Sequence, residues 1–122
     1  MRGRKLLVGL LTAGLFLVGT GTAQAWDLIH ERHGYDRVTL RAWTRGYGQV
    51  AFVADHAGTR VDVQITTTCA NGDYFQDTWS DGGERFRFIL RGLANSRHCD
   101  HEFKVDARKS WVELDLYLYA RG

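Results

Sequence analysis

The sequence predicts an all-β protein: a two-sheet antiparallel β-sandwich of about seven strands with one disulfide. Three observations carry this. Apolar and polar residues alternate with a period of two in run after run, the pattern of strands that bury one face. Glycines punctuate the runs and proline is absent from all 122 residues, so tight turns join the strands. Only two cysteines occur, Cys69 and Cys99, and both fall downstream of a segment that reads as an export leader.

Residues 1–25 form that leader. Arg2, Arg4 and Lys5 make a basic start, LLVGLLTAGLFLV (6–18) an apolar run, and Ala23-Gln24-Ala25 the small-residue pattern that signal peptidase accepts. The run falls short of the roughly 20 residues a spanning helix needs. Cleavage after Ala25 leaves residues 26–122, a single domain with chain enough for one modest core and no membrane span. It also removes three cations, so Lys+Arg falls from 16 to 13 against 14 Asp+Glu. The net charge of the whole chain, +2, therefore turns slightly negative, which gives no global attraction to nucleic acid. The expected location is extracellular, and there a disulfide between Cys69 and Cys99 is the natural state. Closing that loop is worth roughly 3–4 kcal/mol on the chain-entropy model.

The strands follow in order. DRVTLRAW (36–43) alternates, with Val38, Leu40 and Ala42 on one side. GQVAFVAD (48–55) is more apolar overall, as a central strand is. TRVDVQITTTC (59–69) puts Val61, Val63, Ile65, Thr67 and Cys69 on one face. After DYFQDTW (73–79), RFRFILR (85–91) groups Phe86, Phe88 and Leu90 against Arg85, Arg87 and Arg91. RHCDHEFKVDA (97–107) aligns Cys99, His101, Phe103 and Val105. SWVELDLYLY (110–119) sets Val112, Leu114, Leu116 and Leu118 against Trp111, Glu113, Asp115, Tyr117 and Tyr119.

The turn at Ala70-Asn71-Gly72 fixes a register. A two-residue turn would pair Cys69 with Tyr74 and send Phe75 and Trp79 away from Ile65. A three-residue loop with Gly72 in the left-handed region pairs Cys69 with Asp73, Thr67 with Phe75 and Val63 with Trp79. That register makes one continuous core and is preferred. It leaves Asp77 facing inward, in need of a hydrogen-bond partner. The two cysteines point to the apolar side, so their bridge lies inside the sandwich or staples its sheets near one end.

Residues 96–103, SRHCDHEF, crowd two histidines, a cysteine and three acidic or basic neighbours together. On a strand they divide: Cys99 and His101 inward, His98, Asp100 and Glu102 outward. His101 is then a buried, hydrogen-bonded ring. The outward row becomes a metal site only if other ligands join it, and His30 and His33 of IHERHG (29–34) are the candidates, for zinc or copper. Without that role the N-terminal stretch is a polar lead-in. A hydrolase would use Glu102, His98 and Arg97. The serines sit in no elbow motif, no glycine loop cradles phosphate, and Asp73, Asp77, Asp81 and Glu84 fit no calcium loop. No cofactor is called for.

Aromatic residues are the other signal. Trp43, Trp111, Tyr117 and Tyr119 lie on the non-core side of their strands, and Tyr47 sits in the Arg45-Gly46-Tyr47-Gly48 turn. Flat rings flanked by polar groups suit stacking on sugars or anchoring a protein. In overall plan the predicted sandwich resembles secreted immunoglobulin-like and carbohydrate-binding sandwiches, although the tyrosine-corner pattern is missing. That likeness concerns fold, and fold does not fix function.

The sequence best supports a small secreted, non-catalytic module that recognises an extracellular polysaccharide or protein through Trp43, Tyr47, Trp111, Tyr117 and Tyr119, an inhibitor among the options. The alternatives are an extracellular hydrolase or metal-binding protein built on His30, His33, His98, Asp100 and Glu102, and an envelope-associated structural protein. Oligomeric state is not legible.

Overall fold

The structure, a computed structural model, describes residues 25–93 and 97–122. The leader expected over 1–25 lies, apart from Ala25, outside the described residues. Eight strands run β1 (Asp27–Tyr35), β2 (Arg37–Arg45), β3 (Gln49–Asp55), β4 (Val61–Cys69), β5 (Tyr74–Asp81), β6 (Arg85–Arg91), β7 (His98–Ala107) and β8 (Glu113–Arg121). They form two four-stranded sheets, ordered β1-β8-β3-β6 and β2-β7-β4-β5, with every neighbouring pair antiparallel. The protein is thus a two-sheet β-sandwich, as its alternation predicts. No helix among the described residues is long and apolar enough to cross a membrane.

The eighth strand is β1, the stretch read as a polar lead-in. It sits at a sheet edge and buries almost nothing, so its backbone bonds to β8 hold it and its side chains give little pattern. A register shift between Leu28 and His30 also breaks its period of two.

The core lies between the sheets. Leu40, Phe52, Ile65, Phe88, Phe103, Leu114, Leu116 and Leu118 are all fully buried there. β3 is apolar on both faces because its outer side, Ala51 and Val53, joins Ile89 in a second small cluster covered by Trp26, Tyr117 and Tyr119.

The β4–β5 turn takes the three-residue form. Cys69 N donates to Asp73 O at 2.9 Å, Gly72 has φ +96°, and Thr67, Ile65 and Val63 face Phe75, Asp77 and Trp79. Asp77 Oδ1 accepts from Thr78 N at 2.8 Å. The link from β5 to β6 crosses between sheets, so Phe75 and Trp79 meet Phe86 and Phe88 across the core: Phe75 stacks on Phe88 at 5.4 Å and Trp79 lies 4.9 Å from it.

Cys69 and Cys99 are bridged, with S–S 2.04 Å. They are direct partners on adjacent strands of one sheet. The bridge therefore lies inside the sandwich and ties β4 to β7, and it does not link the two sheets. His101 is buried beside it. One ring nitrogen meets the Thr44 hydroxyl at 2.8 Å and the other the Thr67 hydroxyl at 2.8 Å. Burial pushes its pKa down to about 4, so the ring is neutral, with one nitrogen donating and the other accepting.

Candidate functional site

Alternation sends a polar set to the outer face of the β2-β7-β4-β5 sheet. Register then arranges it in rows across the strands. One row reads Trp43, Asp100, Thr68 and Tyr74. The next reads Arg41, Glu102, Thr66 and Gln76.

Trp43 dominates this face. It is 61% exposed, yet its ring is not loose: it stacks on His98 with centroids 5.3 Å apart and planes 22° from parallel. Trp43 forms a wall shared by two shallow depressions. One, of about 490 Å³, is lined by Arg41, Thr66, Thr68, Asp100 and Glu102. The other, of about 470 Å³, is lined by Ile29, His30, Arg45 and Tyr47. Tyr47 is held there by its hydroxyl, which donates to Asp27 at 3.1 Å.

Charges on the face are largely neutralised. Arg41 donates to Glu102 at 2.9 Å, and Lys104 lies 3.6 Å from the same carboxylate. Asp100 stays exposed, with His98 Nε2 at 3.2 Å. Beneath the face, the Cys69–Cys99 bridge and the Thr44–His101–Thr67 bonds tie β2, β7 and β4 together directly under Trp43, Asp100 and Thr68.

The five candidate metal ligands do not come together, and among the described residues no three His, Cys, Asp or Glu side chains are grouped to hold a metal ion. His98, Asp100 and Glu102 do share an outer face. His30 reaches only the depression on the far side of Trp43. His33 belongs to the other sheet, where its Nδ1 bonds Asp115 at 2.7 Å and its Nε2 bonds Glu31 at 2.8 Å. These two carboxylates, Asp115 first, raise its pKa. The spacing of three residues between His30 and His33 causes the separation, because on a strand it sends them to opposite faces of β1. The hydrolase trio is dispersed as well, since Arg97 turns to Asp73 at 2.6 Å.

Tyr117 and Tyr119 lie on the outer face of the opposite sheet, half-buried over Ala51, Val53 and Ile89. Arg121 covers Trp26 beside them, 4.6 Å above its ring. Burial raises both tyrosine pKa values. Trp111 stands apart from all of these. It occupies the β7–β8 connection beyond Ala107, seven residues along β7 from Asp100 and so roughly 20 Å away. It is 86% exposed and has φ +65°.

Sequence reasoning missed Tyr74, 57% exposed at the end of the Trp43 row. Its signal was the register of the β4–β5 turn, which already sets Tyr74 opposite Thr68. It missed His56 too. That ring is buried, with Nδ1 2.7 Å from Thr59 O and Nε2 2.7 Å from an Asp81 carboxylate oxygen.

No family model matches the chain, and no curated protein matches it either. Among solved structures the chain is similar to TmCBM61 in complex with β-1,4-galactotriose, with 13% identity over 79% of this chain and a TM-score of 0.49. It spans 66% of that protein's length. It is also similar to a variant of CBM29-2, a family 29 carbohydrate-binding module, with 14% identity, 81% of this chain and 92% of that one covered, and a TM-score of 0.41.

Proposed function

We propose that the outer face of the β2-β7-β4-β5 sheet binds an extracellular polysaccharide, with Trp43 as its stacking platform. The observation that carries this is the exposed Trp43 ring, held by His98 between two depressions lined with hydrogen-bonding groups. A sugar offers an apolar C–H face and a rim of hydroxyls. Trp43 matches the face, while Asp100, Thr66, Thr68 and Arg41 match the rim. The surroundings favour a glycan over a protein. Apart from Trp43 and Tyr74 the face is polar, so it lacks the dry apolar centre on which protein interfaces depend.

The same reading takes residues 26–122 as an exported domain released by cleavage after Ala25. The buried Cys69–Cys99 bridge supports an oxidising destination, and N-terminal sequencing of protein recovered from the medium tests the cleavage point.

Affinity electrophoresis in gels containing xylan, galactan, soluble cellulose derivatives or glycol chitin tests the binding. At least one polymer should retard the protein, and Trp43→Ala should abolish the retardation with no loss of thermal stability. Equal retardation of the variant would refute Trp43 as the platform.

A further inference from the structure

Trp43 and Tyr74 stand in one row on opposite edge strands of the same sheet. Three strand-to-strand steps separate them, so their backbones are about 14 Å apart. The two positions between them carry Thr68 and Asp100, which are short side chains. They form a low floor between two raised rings. Arg41, Glu102, Thr66 and Gln76 line one side of that floor, and the Tyr74 hydroxyl is itself tethered to Gln76 Oε1 at 2.7 Å.

The ends of the row matter as much as its length. β2 and β5 are the edge strands, so among the described residues no further strand of this sheet walls off either end. Past Trp43 the surface continues into the depression lined by His30, Arg45 and Tyr47. A site that recognised a chain terminus would need a wall there to stop the ligand.

We infer that this face reads the interior of a linear glycan laid across the four strands, with Tyr74 as a second stacking contact that only a ligand longer than a disaccharide reaches. The inference rests on the polysaccharide reading above and adds an orientation, a minimum length and indifference to chain ends. Tyr74 has no role in a monosaccharide site centred on Trp43. In a spanning site it sets how affinity grows with chain length.

Calorimetric titration with xylo-, cello-, galacto- and chito-oligosaccharides, from monosaccharide to hexasaccharide, tests this. In whichever series binds, affinity should rise at least tenfold between the disaccharide and the length that reaches both rings, and then level off. Tyr74→Ala should remove that gain and leave disaccharide binding as in the parent. Tyr74→Phe, which keeps the ring, should retain most of it. A hexasaccharide modified at both ends should bind as tightly as the free one. The inference is overturned by equal affinity for disaccharide and hexasaccharide, by parental behaviour of Tyr74→Ala at every length, or by loss of binding on end modification. Those failures leave the Trp43 platform standing. Failure of the platform itself shows differently, as Trp43→Ala binding every length like the parent, or as no binding in any series.

Discussion

Asp36 holds Val112 by both backbone groups: its carboxylate accepts from Val112 N at 2.9 Å, and its own N–H donates to Val112 O at 2.9 Å. Its carbonyl also accepts from Ala107 N at 2.7 Å. One residue in the left-handed region, φ +66°, therefore closes both ends of the β7–β8 connection and sets the conformation of Trp111 inside it. Asp36→Ala removes the carboxylate and keeps the unfavourable dihedral. It should cost about 1–2 kcal/mol in urea unfolding.

Trp111 itself makes the complementary case. A bulky residue at positive φ is strained, and one so exposed has little packing to lose. Trp111→Gly should therefore leave stability unchanged or raise it by about 1 kcal/mol. A loss of that size would mean that the indole holds the connection in place.

His101 predicts acid sensitivity. Its folded pKa is depressed to about 4, below the ordinary value near 6.5. Above pH 6.5 both folded and unfolded chains keep the ring neutral, and it has no effect. As pH falls from there to about 4, the unfolded chain takes up a proton that the folded chain refuses. Stability should drop over that window by roughly 3 kcal/mol and the His101 contribution should then level off. His101→Leu strands the Thr44 and Thr67 hydroxyls and lowers stability at neutral pH, but it should flatten this limb of the pH profile. Unfolding midpoints from pH 7 to 4 for both proteins decide the matter.

His33 should behave in the opposite sense. Asp115 and, after it, Glu31 favour its protonated form, so whatever it adds to stability is fully present below about pH 6.5 and is lost as pH rises through its higher folded value. An NMR titration should show a midpoint above that of a free histidine. The midpoint should shift down in Asp115→Asn and down again in high salt, because the ring is exposed.

The Cys69–Cys99 bridge closes a loop with a sequence separation of 30. Replacing both cysteines by alanine should lower stability by roughly 3 kcal/mol. The bridge also lies under Asp100 and Thr68, so the double variant should bind glycan more weakly even at temperatures where it remains folded. Parental affinity in a folded double variant would limit the bridge to a stabilising role.

The fold was legible where strands bury one face. β4, β6, β7 and β8 announce themselves through alternation, and the β4–β5 register follows from one glycine at a turn. β1 was hidden because an edge strand with a register shift buries too little to leave a pattern. The outward direction of Trp43, His98, Asp100 and Glu102 was readable for the same reason that β7 was. What could not be read was which strands lie side by side. Trp43 meets His98 and Asp100 only because β2 pairs with β7, and the sequence separates those strands by more than half of the domain. Tyr117 and Tyr119 illustrate the converse limit. Alternation placed them outward correctly, but the apolar outer side of β3 turns that surface into a second small core.

The position of β8 has a consequence for when this protein folds. β8 lies between β1 and β3 in its sheet, so that sheet has a gap at its centre until β8 docks. Of the described strand pairings only β4–β5 joins neighbours in the chain. The others must each close a long loop first, which makes folding slow. The β1-β8-β3-β6 sheet is therefore completed only when β8 inserts between β1 and β3, as a late step of folding.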